Sequence, residues 1–206
     1  MDRSPETTRT KIMNAAESMI LDKGFAGTTV NNIIEQADVS KGAFFHYFSS
    51  KAELGKELVQ RYADEDAEHL EQTLVKAEGL SDDPLQQLLI FVKLFEQEIE
   101  SLEEPFPGCL FASYLQQSEL FDHNILDIIR KSMLLWRTRV LEKLKKIEQE
   151  YPPRREVDLE SLADMLMVIF EGSFVLSQSL NENKIIAQQL SHYHNYLSML
   201  FKESSK

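Results

Sequence analysis

The sequence predicts an all-α protein, and three observations lead there. Only seven Gly and six Pro interrupt 206 residues, so long stretches run without punctuation. Apolar residues recur at three- and four-residue spacing through most of the chain. Cap residues stand where those periodic runs begin. The expected architecture is about nine helices: an amino-terminal three-helix unit and a larger helical domain.

The elements follow in order. Ser4 is a cap with Pro5 and Glu6 behind it, and Lys23 then Gly24 close the first helix. Ile12, Ala15, Ala16, Met19 and Ile20 give that helix one apolar face. A two-turn helix from Val30 to Ala37 has Thr28 or Thr29 as its cap. Ser40 caps the next helix, Lys41 to Tyr47. Ser50 and Glu53 form the Ser-x-x-Glu capping box of a longer helix that runs into the seventies. Asp83 and Pro84 start another, which the Pro105-Phe106-Pro107-Gly108 stretch breaks. A short helix from about Cys109 to Gln117 comes next. The long face Ile125, Ile129, Met133, Trp136, Val140, Leu144 and Ile147 then ends at Pro152 and Pro153. Two last helices, about Asp158 to Leu180 and Glu182 to Lys202, are joined closely enough to form an antiparallel hairpin.

Composition narrows the function. One Cys supplies neither an internal disulfide nor a cysteine zinc cluster. The start of the chain has no apolar signal region, and no run reaches the ~18 apolar residues of a membrane span, so a cytoplasmic protein without a membrane partner is expected. The formal charge of -12 argues against unselective coating of nucleic acid. That charge is unevenly placed: residues 1 to 62 carry eight basic and eight acidic side chains, and the remainder carries all of the acidic excess. No serine-hydrolase elbow, Walker loop, dinucleotide fingerprint or His-Glu-x-x-His occurs, so neither catalytic residues nor a cofactor are expected. His192 and His194, two apart on a helix, point to different sides, and no metal site is expected.

The segment from Val30 to Tyr47 reads as a helix-turn-helix. Asp38 sits at the sharp bend, where Asp tolerates the left-handed conformation. Ile33, Ile34, Val39, Phe44 and Phe48 can bury against Ile20 and Phe25, which leaves Lys41, Gly42, Ala43, Phe45, His46 and Tyr47 facing outward. A basic residue, a Gly and an Ala in the first turn let backbone approach a partner closely.

Thr28 to Leu54, TTVNNIIEQADVSKGAFFHYFSSKAEL, resembles the DNA-binding signature of the tetracycline-repressor (TetR) family of bacterial regulators. The resemblance implies a helix-turn-helix DNA-binding domain over 1–50 and a helical effector-binding and dimerisation domain over 51–206. By position it also implies that Thr29 and Lys51 contact phosphate, that Ser40 to Ala43 approach base edges, and that Phe45, His46 and Tyr47 lie along the backbone and groove wall. Three positions depart from the family's habit: Ile34 where Ala is common, Asp38 where Gly is common, and Phe45 where Tyr is common. A Phe has no hydroxyl to offer phosphate, which leaves a thymine methyl or a sugar as its contact.

A short recognition helix reads only a few base pairs, so the expected partner set is double-stranded operator DNA and a second copy of the chain. Leu162, Leu166 and Ile169 on one carboxy-terminal helix and Ile186, Leu190, Tyr193 and Leu197 on the other are the candidate dimer stripes. Closing the monomer core is the other use for them. Phe91, Phe95, Cys109, Phe111, Tyr114, Trp136 and Phe170 are candidates for a pocket holding a small apolar or electrophilic effector, whose binding the resemblance implies releases operator. Cys109 reads either as a thiolate sensor at a helix start or as inert packing. The function expected is a ligand-responsive regulator, most simply a repressor; a helical dimeric adaptor without specific DNA binding is the alternative.

Overall fold

A computed structural model describes residues 7–102, 106–121 and 123–201. Its described residues form helices and connecting turns, with no strand among them. The helices are α1 Thr8–Gly27, α2 Val30–Gln36, α3 Lys41–Tyr47, α4 Lys51–Glu78, α5 Pro84–Glu100, α6 Leu110–Leu115, α7 His123–Glu150, α8 Leu159–Leu180 and α9 Lys184–Phe201. The chain divides into two compact units, Met1–Glu65 with Cys109–Arg130, and Asp66–Gly108 with Lys131–Lys206.

In the first unit α1 buries Ile12, Ala15, Ala16, Met19 and Ile20, the face its periodicity marks out. The proposed cap at Ser4 and Pro5 lies outside the described residues; the Thr7 side chain caps the helix, accepting from the Thr10 N–H. Gly24 breaks the helix at φ 74°, ψ 167°, a conformation costly for any residue with a Cβ, so Phe25 leaves in a new direction. Thr29 caps α2 through the Asn32 N–H at 3.2 Å, and Ser40 caps α3 through the Ala43 N–H at 3.1 Å. Asp38 takes the left-handed turn, at φ 51°.

The expected capping box at α4 is half made. Ser50 Oγ accepts from the Glu53 N–H at 3.1 Å, but the Glu53 carboxylate accepts from the N–H of Ser49 at 2.7 Å, one residue before the cap. Further along the chain, α6 packs on α1. The Phe25 ring meets Tyr114 and Phe121 at 5.6 and 4.8 Å, and Gln117 Oε1 accepts from the Ala26 N–H at 2.8 Å. The α6 helix is shorter than expected because Cys109 stands before it as the cap and Gln116 after it.

In the second unit α9 packs on both α5 and α8. Asp83 caps α5, and Asn181 ends α8 in the left-handed conformation at φ 54°, giving the predicted hairpin. The core joins Leu70 and Leu74 of α4, Leu88 and Val92 of α5, Val140 and Leu144 of α7, Leu162 and Leu166 of α8, and Leu190 and Leu197 of α9. Ion pairs tie the helices at the rim: Arg137 forks onto Asp164 at 2.7 and 2.8 Å, and Arg139 forks onto Glu71 at 2.6 and 2.9 Å. Lys143 is buried and reaches Glu78 and Gln87.

Candidate nucleic-acid interface

The reading helix is built by a division of its own side chains. Phe44 and Phe48 have no exposed surface, and they pack against each other at 6.0 Å with Ile33 buried in the same core. Lys41, Gly42, Phe45, His46 and Tyr47 are all exposed, and Ala43 is half-buried. Phe45 is 46 % and Tyr47 39 % exposed. Their arrangement is ordered: Lys41 Nζ stands 6.0 Å from the Phe45 ring centroid, and His46 meets Tyr47 edge to face at 4.9 Å. Ser40 is exposed, with its hydroxyl engaged in the cap. A seven-residue helix with a wet polar and aromatic face, pinned by two Phe, is suited to entering a major groove.

Thr29 is exposed, and its hydroxyl accepts from the Asn32 N–H and meets Asn32 Oδ1 at 2.6 Å. Lys51 is placed differently from an open phosphate anchor. Its ammonium donates to the carbonyls of Phe25 and Thr28, each at 2.8 Å, and lies 4.2 Å from the centroid of the Phe25 ring. Burial at this joint lowers the Lys51 pKa from the ordinary lysine range. Arg9, which sequence reasoning did not single out, pairs with Glu57 and stands 5.6 Å from the Phe48 ring centroid.

The candidate pocket residues divide between the two units. Phe91, Phe95, Trp136 and Phe170 belong to the second and form one ring cluster, with centroid separations from 5.1 to 6.3 Å. Cys109, Phe111 and Tyr114 belong to the first and are buried there. Tyr114 donates to the carbonyl of Gly55 at 3.0 Å, and Phe111 meets Tyr62 at 4.8 Å. Two open clefts in the second unit lie elsewhere. One, of about 510 Å³, is lined by Ile99, Leu102 and the α8–α9 turn; the other, of about 400 Å³, by His69, Thr73, Leu94 and Glu98.

An unforeseen polar group sits beside the rings. Asp66 Oδ2 accepts from Trp136 Nε1 at 2.8 Å and from Ser132 Oγ at 3.0 Å, and burial raises its pKa although both hydrogen bonds and the nearby His69 oppose the shift. Nothing in the sequence pattern distinguishes Asp66 from the other acids of α4.

The dimer stripes require correction. Leu162, Leu166, Ile186, Leu190, Tyr193 and Leu197 are at most 4 % exposed, and Ile169 packs against the same core. They close the chain's own interior because α9 lies on α5 as well as on α8, and the Tyr193 hydroxyl is spent on the Leu162 carbonyl at 3.0 Å. The apolar residues left outside are Met165, Val168, Val175, Leu176 and Leu180 on α8 with Tyr196 and Met199 on α9. Among the described residues there is no helix long and apolar enough to cross a membrane and no group of acids, His and Cys that could hold a metal.

The pair α2 and α3, with α3 burying Phe44 and Phe48 and exposing its opposite side, has the arrangement of a helix-turn-helix unit. Residues 12–58 match the family "Bacterial regulatory proteins, tetR family". Over 165 residues it is 24% identical to the transcriptional regulator AcuR of Cereibacter sphaeroides, covering 80% of this chain and 73% of that one. Over 192 residues it is 25% identical to the transcriptional repressor DhaR of a Mycobacterium species, covering 89% and 87%. The crystal structure of a TetR-family regulator from Agrobacterium tumefaciens superposes with a TM-score of 0.76 at 18% identity, over 97% of this chain and 100% of that one.

Proposed function

We propose that the protein is a ligand-responsive transcriptional repressor that binds a pseudo-palindromic operator as a homodimer. One observation carries this: α3 buries Phe44 and Phe48 completely while Lys41, Gly42, Phe45, His46 and Tyr47 stand in solvent. Residues 1–50 form the DNA-reading domain, with Thr29, Ser40, Lys41, Gly42, Ala43, Phe45, His46 and Tyr47 at the DNA, and 51–206 carry effector binding and dimerisation.

A single head gives too few cationic contacts for tight binding, so a second copy supplies the other half-site, about 34 Å or a multiple of that away. The exposed stripe of α8, Met165, Val168 and Val175 with Gly172 between them, is the surface we assign to that copy, together with Tyr196 and Met199 of α9. Steps of three, four and three residues keep the α8 set on one face, and no atom lies within 4 Å of a Cβ added at Gly172, which suits close helix approach. A small effector bound in the helical domain releases operator through differential affinity for two states, with coupling of ~1–3 kcal/mol being usual.

Selection from random double-stranded DNA at moderate salt tests the reading. Enrichment of a palindrome is expected; enrichment of no sequence would favour the adaptor. Screening compounds for loss of the selected complex then identifies the effector class.

A further inference from the structure

The α2–α3 excursion begins and ends at one side chain. Thr28, fully buried, immediately precedes the Thr29 cap of α2, and Lys51 opens α4 just after α3 and its Ser49–Ser50 turn. Between these two positions lies everything the protein is expected to present to DNA.

At this corner the Phe25 carbonyl accepts from the Thr28 N–H at 3.2 Å and keeps a second acceptor site, and the Thr28 carbonyl is open to a donor. Gly24 breaks α1 before its last turn is complete, so Phe25 and Thr28 present carbonyls at a helix end, where a cation is favoured. Lys51 supplies it, with two N–H donors at 2.8 Å and its charge 4.2 Å from the Phe25 ring centroid. No carboxylate among the described residues pairs with that ammonium. An ammonium has three donors, so a phosphate could take only the third or must displace a carbonyl. The geometry is that of a tie between the entry to α2 and the first turn of α4.

We propose that Lys51 is a positioning residue for operator binding: its ammonium joins the Phe25 and Thr28 carbonyls to the start of α4, and so sets where α2 and α3 stand. It acts on affinity through the placement of the reading helix, not by neutralising a phosphate. This rests on the DNA-binding reading above and specifies how one of its residues works.

The test uses the full chain and the palindrome that the wild-type protein enriches, with affinity measured across a salt series. Lys51→Met is expected to weaken specific binding about tenfold, the size of one lost base contact, with the slope of log affinity against log salt unchanged. Lys51→Gln, uncharged but still a donor, is expected to recover part of that loss. A slope shallower by about 0.9 per lost contact, with Gln no better than Met, would make Lys51 a phosphate contact and overturn the proposal. Unchanged affinity with a lowered Tm would make its role structural only and overturn it equally. Should Lys51→Met not fold, Lys51→Gln against wild type carries the same reading through its slope and affinity. Failure of the wild type to enrich any palindrome would be the failure of the DNA-binding reading itself, and the proposal would fall with it.

Discussion

Lys41, His46 and Tyr47 are all exposed but differ in what they can give DNA. The Lys41 ammonium is a point charge, His46 has ring nitrogens, and the Tyr47 hydroxyl both donates and accepts. Lys41→Ala is expected to cost ~1–3 kcal/mol of operator affinity and to relax discrimination between sequences. Tyr47→Ala is expected to cost ~1–3 kcal/mol of operator affinity with only a small change in Tm, because Tyr47 is an exposed residue. Equilibrium titration with paired thermal melts checks both. Asp66 makes a separate prediction. Its folded-state pKa lies above the ordinary aspartate value, so its charged form is disfavoured in the folded state. That penalty is present above the raised pKa and is relieved as pH falls through it. Asp66→Asn, which keeps an oxygen acceptor for Trp136 and Ser132, is therefore expected to raise the Tm at neutral pH and to lessen the gain on mild acidification. A lower Tm for the variant at neutral pH would contradict the burial argument.

At the scale of elements, the caps and breaks were legible because they are local chemistry. Thr29, Ser40, Asp38 and Gly24 each do what their residue type favours, and α2, α3 and the α8–α9 hairpin follow from them. What the sequence did not disclose was mutual. The stripe from Ile186 to Leu197 has the period of an interface and of a core alike, and only the packing of α9 on α5 decides between them. By resemblance Lys51 reads as a phosphate contact, and the Phe25 and Thr28 carbonyls beside its ammonium come into view only in the folded chain. Gly55 is another case: a Cβ there would lie 2.7 Å from Phe25 Cε2 and 3.2 Å from the Tyr114 hydroxyl, so its smallness lets α1 and α6 meet on α4. Gly55→Ala is expected to destabilise the protein by ~1–3 kcal/mol through overpacking, despite the better helix propensity of Ala. Chemical denaturation measures it, and a more stable variant would show that the contact has slack.

For the molecule as a whole, charge and symmetry set the terms. The acidic excess beyond residue 62 repels DNA, so affinity should come from the amino-terminal heads and depend on having two of them. Val168 is 68 % exposed on α8, and Val168→Asp is expected to give a monomer by sedimentation at concentrations where the wild type is a dimer. The folded chain should persist, since the side chain supports no core. A dimer that survives this change would place the two-fold contact elsewhere. The most direct test of the central claim pairs Lys41→Ala, at the base edges, with Tyr47→Ala, at the backbone, in one chain and measures its affinity for the selected palindrome and for a scrambled duplex. Discrimination of ~10³-fold or more is expected for the wild type, and its near-complete loss in the double variant, with the helical content and Tm kept. Undiminished discrimination by a folded double variant would contradict the assignment of this helix as the reader.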